Sequence, residues 1–303
     1  MACGTLAAGA AASSSVGAET AQTSPARFRY GLNMSTIRGQ GLDAAGEIDV
    51  AIEAGYDAIE PWLGKLREYV ENGGKLADLR KRIEDGGLTV ESAIGFAPWI
   101  VDDEAKRAEG FEEAKRDMDV IAQLGGTRIA AAPAGAPRDR GIDPMRIAER
   151  YRQLLELGDE MGVVPQIEMW GGNKSIGRVS TAVFIAMEAG HPKACFLGDV
   201  YHTYKGGSAF EALLQLGPRA LQTFHMNDYP ADPPRETIRD EHRVYPGDGI
   251  APLDEILQGF RRVGANPVLN LELFNRSYWQ KPAIEVARTG LAKMKAAVAK
   301  AGF

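Results

Sequence analysis

From Arg27 onward, short apolar runs alternate with longer stretches in which apolar residues recur every three or four positions. The short runs predict strands at Tyr30–Met34, Ala58–Pro61, Thr89–Ile94, Arg128–Ala131, Val164–Glu168, Cys195–Asp199, Gln222–His225 and Val268–Glu272. The longer stretches predict helices near Ala44–Ala54, Lys65–Gly86, Glu104–Leu124, Pro144–Met161, Ser180–Ala189, Ser208–Leu216, Pro252–Arg262 and Pro282–Ala301. In the third of these, Glu112, Glu113, Arg116 and Asp119 mark a solvated face, whereas Met118, Ile121, Ala122 and Leu124 mark the inward one. Gly125-Gly126 and Gly162 stand where helices stop, and Pro252 and Pro282 where a first turn tolerates proline. Eight strands and eight helices in strict alternation suit a closed parallel (β/α)8 barrel of the α/β class better than an open sheet. No Gly-x-Gly-x-x-Gly follows the first strand, which removes the usual nucleotide-binding alternative.

The 303 residues could hold two average domains, but barrels of this kind commonly run to about 250 residues as one. Residues 27–303 therefore read as a single domain. A net charge of −6 argues against a nucleic-acid backbone or an anionic membrane as the main partner. Cys3 and Cys195 are the only cysteines, and Cys195 opens an apolar run, so no disulfide framework is implied. Residues 1–26 carry no Lys or Arg and are rich in Ala, Gly and Ser. They read either as the remnant of an export signal stripped of its basic leader, which would place the protein in the periplasm, or as an Ala/Ser-rich tail on a cytoplasmic protein. No run of about 18 apolar residues follows, so no membrane span is expected.

Four residues suited to a metal ion each close a predicted strand: Glu168, Asp199, His225 and Glu272. In a barrel the C-terminal ends of strands five to eight share one rim, so these side chains would converge there. Three carboxylates and one imidazole make a hard, mostly oxygen-ligated site for one divalent ion. A lone carboxylate after a strand is commonly a helix N-cap or a solvated loop residue. Four in succession make coincidence a poor account.

The ordered motifs Ile167-Glu168, Gly198-Asp199-Val200-Tyr201-His202, Phe224-His225-Met226-Asn227-Asp228, Arg243 through Gly247-Asp248-Gly249, and Leu271-Glu272 resemble the xylose-isomerase-like TIM-barrel superfamily over roughly residues 30–298. That superfamily includes ketose 3-epimerases, inosose dehydratases and endonuclease IV. The resemblance implies a TIM barrel holding one divalent ion, usually manganese, cobalt or magnesium, with zinc also admissible, on Glu168, Asp199, His225 and Glu272. It also implies that Glu168 and Glu272 move protons, one removing a carbon-bound proton beside a chelated carbonyl and the other returning it through an enediolate. The implied activity is a sugar isomerase or epimerase. His202 and Arg243 match positions that contact substrate oxygens in the family; the alternative for Arg243 is a surface pair with Asp240 or Glu241.

Departures bear on the substrate. Six residues beyond Glu168, where ketose 3-epimerases carry another glutamate, this chain has Lys174, which suits a carboxylate or phosphate, or simply an exposed loop. The long segment from Tyr229 to His242 is expected to shape a pocket. Trp62, Phe96, Trp99 and Trp170 follow strands two, three and five, where sugar faces could stack on them. Glu60 closes strand two without an assigned role.

The same proton abstraction becomes β-elimination when the neighbouring carbon bears a leaving group. A lyase or dehydratase acting on a keto-sugar, a keto-inositol or a 3-keto-glycoside is therefore the alternative, and a non-catalytic sugar-binding barrel is a third class. An endonuclease IV-like trinuclear site needs histidines after strands two and three, and the four histidines here are His191, His202, His225 and His242. The expected partner is a small carbohydrate, with no nucleic acid and no membrane; a homo-oligomer remains open.

Overall fold

Strands β1 (Tyr30–Asn33), β2 (Ala58–Glu60), β3 (Thr89–Val90), β4 (Arg128–Ala131), β5 (Val164–Glu168), β6 (Phe196–Asp199), β7 (Leu221–Met226) and β8 (Val268–Leu271) run parallel in the computed structural model. The model describes residues 28–303 together with Met1 and Gly4. The two readings of residues 1–26, and the placement of Cys3, lie outside the described residues apart from those two positions. Strand order is β3-β2-β1-β8-β7-β6-β5-β4, so β1 pairs with β8 and the sheet curls into the barrel the alternation predicts. Between β3 and β4 the seam is carried by one backbone bond, Ala130 N–H to Ala93 O at 2.8 Å. The predicted third strand, Thr89–Ile94, thus survives as a two-residue ladder followed by an extended segment that still closes the ring.

The helices are α1 (Ala44–Ala54), α2 (Leu63–Glu71), α3 (Leu76–Asp85), α4 (Glu104–Gln123), α5 (Pro144–Met161), α6 (Val179–Glu188), α7 (Val200–Lys205), α8 (Leu253–Arg262) and α9 (Ala283–Lys300). Both ends of α1 and α5 are written locally. Asp43 and Asp143 cap the first turns with their side chains, and Gly55 and Gly162 terminate them in the left-handed region. The stretch predicted as one helix over Lys65–Gly86 is two, broken at Asn72-Gly73-Gly74, where Gly73 takes φ of +90°. Segment 208–216 forms a 3-10 turn, Phe210–Gln215, rather than an α-helix, and the short α7 precedes it. The α4 faces match the reading at Met118 and Ile121, which are buried.

Helices wrap the barrel through an apolar layer, and polar hooks fix their register. The Tyr151 hydroxyl of α5 donates to Pro165 O at 2.8 Å, tying the helix to β5, and Cys195 N–H donates back to the same hydroxyl at 3.3 Å. Inside the barrel a polar chain runs below the rim: Thr223 donates to Gln166 Oε1 at 2.9 Å, and Gln166 donates to Ser92 Oγ at 3.2 Å. Buried polar groups of this kind specify register because each must find its partner. Gly31 in β1 has the same function by absence, since a Cβ there would stand 1.8 Å from Asn270 Oδ1.

Candidate metal centre and substrate cavity

The strand ends gather carboxylates at one rim. Glu60, Glu168 and Asp199 close β2, β5 and β6, His225 sits one residue before the end of β7, and Glu272 follows β8 directly. All five are buried. Candidate ligand atoms of Asp199, His225 and Glu272 lie within 4.8 Å of one another, the one such grouping found among the described residues. Glu168, expected as a fourth ligand, lies outside this triad but lines the same cavity as Glu272, and its Oε2 is buried without a hydrogen-bond partner.

The imidazole is poised to bind a cation. His225 Nε2 lies 2.8 Å from Glu60 Oε2, a separation at which Nε2–H donates to the carboxylate. Nδ1 lies 3.1 Å from Glu272 Oε2 and 3.6 Å from Asp199 Oδ2, without hydrogen-bond geometry to either. A carboxylate behind one nitrogen and a lone pair facing two further carboxylates is how histidine is held for a metal. The donor set therefore fits a divalent ion.

Electrostatics point the same way. Burial opposes charge on His225, yet Glu272 and Glu60 outweigh it and raise its pKa well above the usual value, so the cluster draws a positive charge to that ring. Burial also pushes Glu168 up to about 8, reinforced by the negative charge of Glu272. Asp199 moves the other way: burial would raise it, but the Arg243 guanidinium holds it far below the carboxylate range. Glu60 is lowered as well, since contact with His225 overcomes its burial.

Arg243 is buried at this centre rather than paired only at the surface. Its Nη1 donates to Asp199 Oδ2 at 3.1 Å and to Glu272 Oε2 at 2.7 Å, while Nη2 pairs with Asp240 and lies 3.0 Å from His202 Nε2. The guanidinium packs over the Tyr201 and Phe274 rings at 4.5 and 5.0 Å. His202, in α7, accepts Gly171 N–H at Nδ1 over 3.1 Å. Burial lowers its pKa and Arg243 adds to that, with Asp199 pulling back, so the ring is neutral. The loop from Tyr229 to His242 does shape the pocket. Lys205 Nζ holds it through Arg235 O and Glu236 O at 2.9 and 3.0 Å, and it delivers Asp240 to Arg243.

A cavity of about 560 Å3 opens above the centre, lined by Glu168, His202, Arg243 and Glu272 below and by Trp62, Phe96, Trp170 and Phe274 higher up. Two candidate substrate contacts, Trp99 and Lys174, lie outside the cavity, Lys174 as the exposed-loop alternative has it. Trp99 is buried in the core, its Nε1–H donating to Ala132 O at 2.8 Å. Lys174 is exposed and outside the cavity, because Asn173 Oδ1 accepts from Ser175 and Ile176 N–H and the resulting turn points residue 173, not 174, at the pocket. Arg138, in the loop after β4, lines the cavity instead. Arg138 and Phe274 were missed because each sits on a loop without a periodic pattern, and Asp240, expected as a surface partner of Arg243, also lines the cavity. Glu60 lacked a role because its partner His225 is far away in sequence.

The profile of the xylose isomerase-like TIM barrel family matches residues 48–297. The chain belongs to this family. Among curated proteins, the inosose isomerase of Bacillus velezensis is 26% identical over 258 residues, covering 84% of this chain and 91% of that one. Among solved structures, the IolI protein with a binding zinc atom superposes with a TM-score of 0.83 at 23% identity, covering 90% of this chain and 99% of that one. D-Psicose 3-epimerase in the presence of D-fructose gives 0.72 at 19% identity, covering 89% and 99%. The two structures share the barrel with this chain.

Glu60→Gln tests the histidine's orientation. An amide can turn its NH2 to the ring and favour the wrong tautomer, so divalent-ion affinity should fall about 10- to 100-fold by isothermal titration calorimetry. Unchanged affinity would show that the Glu60 contact does not orient the ligand.

Proposed function

We propose that this chain is a divalent-metal-dependent sugar isomerase or epimerase that removes and returns a carbon-bound proton next to a carbonyl. The observation that carries this reading is the Asp199, His225 and Glu272 triad beside a buried Glu168 carboxyl that has one oxygen without a hydrogen-bond partner, with Glu168 and Glu272 lining the same cavity. The inosose isomerase relatives and the epimerase neighbour support an isomerase-type enzyme, and the zinc atom of the IolI neighbour supports a metal cofactor.

Asp199 and His225 would hold the ion, with Glu272 as third ligand and Glu168 free to approach as a fourth. A divalent cation there would stabilise negative charge developing on a substrate oxygen as the neighbouring carbon loses its proton. Glu168 has a free oxygen, and once a cation at the triad lowers its burial-raised pKa it would be the carboxylate that accepts that proton. Glu272 would deliver a proton to the opposite face, inverting the centre, so each turnover leaves Glu168 protonated and Glu272 deprotonated until exchange with solvent restores both. A neutral His202 carries one ring proton and cannot accept at both nitrogens, so a substrate oxygen would replace the Arg243 contact at Nε2. Arg243 would then turn its second nitrogen to a substrate hydroxyl while keeping Asp199 ionised. Manganese, cobalt, magnesium and zinc are the candidate ions. A β-elimination on the same floor would need only a leaving group on the adjacent carbon.

A screen of ketoses and ketocyclitols in deuterium oxide, with metal-loaded enzyme, reads the proposal directly. Carbon-bound deuterium in recovered sugar, abolished by chelator, is the expected result. An unsaturated product would assign the lyase instead, and absence of label from every carbonyl sugar would sink the proton-transfer reading.

A further inference from the structure

The cavity is divided by polarity. Its floor carries Glu168, His202, Arg243 and Glu272, whereas its upper wall is a chain of four rings in successive contact. Phe274 lies 6.0 Å from Trp62, Trp62 lies 5.3 Å from Phe96, and Phe96 lies 6.2 Å from Trp170, all centroid to centroid in tilted or edge-on geometry. Trp62 is fixed from below, because its Nε1–H donates to Asn33 Oδ1 at 2.9 Å while Asn33 Nδ2 donates to Glu60 at 2.7 Å. Phe96 remains 42% exposed in the middle of this arc, so its ring packs on both neighbours and still offers open apolar surface to a ligand.

A free monosaccharide is polar on nearly every side and would cover one ring of the four. A cavity of about 560 Å3 also falls in the range that buries ligands well above that size. We infer that the substrate is a conjugate: a polyhydroxy carbonyl head seated on the floor, carrying a second, planar apolar ring that lies against Trp62, Phe96 and Trp170. Aromatic glycosides whose sugar ring carries a ketone are the chemical class that fits. Arg138, which lines the same cavity and has no ion pair or hydrogen bond among the described residues, adds a cation that can stack on that ring or meet a polar substituent of it. This inference rests on the proposed sugar chemistry for the head group, and the wall residues act on binding alone.

The test is calorimetric binding of matched phenyl and methyl glycosides of the gluco, galacto and manno series, each oxidised to its 3-ketone, to manganese-loaded, full-chain protein. At least one phenyl glycoside should bind about tenfold more tightly than its methyl partner, the increment expected of ring stacking. Phe96→Ala, at a position exposed enough to spare the fold, should reduce that phenyl-to-methyl ratio severalfold. A panel in which no phenyl member exceeds its methyl counterpart, or a ratio unmoved by Phe96→Ala, overturns the inference. Failure of the proton-transfer reading would appear separately, as phenyl preference without deuterium uptake in any carbonyl sugar.

Discussion

Glu168→Gln is expected to lower deuterium exchange into substrate by about a thousandfold, the scale of a lost general base, while metal content stays at the wild-type level. The amide keeps the size of the side chain and removes the proton acceptor. The ion should stay because Asp199, His225 and Glu272 form the compact triad without Glu168. Burial and Glu272 set this carboxyl at about 8 before a cation arrives, and a cation at the triad pulls it down again, which leaves a base near the pH at which proton transfer is efficient. Exchange kinetics by mass spectrometry and metal analysis of the same sample decide the matter. Exchange that persists in the variant removes Glu168 as the base, and loss of both exchange and metal would recast it as an obligatory ligand.

The barrel was legible because its periodicity is local and its stops are chemical. Ala44–Ala54 and Pro144–Met161 match the observed helices at both ends, where Asp caps and left-handed glycines mark the boundaries. The break in the second helix was written in Gly73-Gly74 and overridden by the apolar periodicity on either side. Helix α7 was missed because it is six residues long and is capped by Asp199, a residue already assigned to the metal, whose Oδ1 accepts His202 N–H at 2.6 Å. The triad could be named from strand ends alone, since a parallel barrel sends all C-terminal ends to one face. What strand ends do not encode is which loop residues face inward. Lys174 and Asn173 are neighbours in sequence, and a two-bond turn decides between them. Glu60 carries the same lesson at longer range, because its role exists only through a contact with His225, 165 residues away.

Arg243→Met is expected to destabilise the metal-free protein by about 3–5 kcal/mol, because it removes the one cation that Asp199, Glu272 and Asp240 share and leaves the buried pair, Asp199 and Glu272, with the His225 ring as their remaining positive neighbour. For a chain of this size that corresponds to a fall of roughly 10 °C in melting temperature. Methionine fills comparable apolar volume between Tyr201 and Phe274, so the loss would report charge more than packing. A divalent ion at the triad supplies the missing positive charge to two of the same three carboxylates. Saturating manganese should therefore raise the melting temperature of the variant more than that of the wild type and narrow the gap between them. Differential scanning calorimetry with chelator and with manganese provides the four values needed. An equal gap in both conditions would mean that Arg243 and the ion do not act on the same carboxylates, and the triad would lose its strongest electrostatic argument.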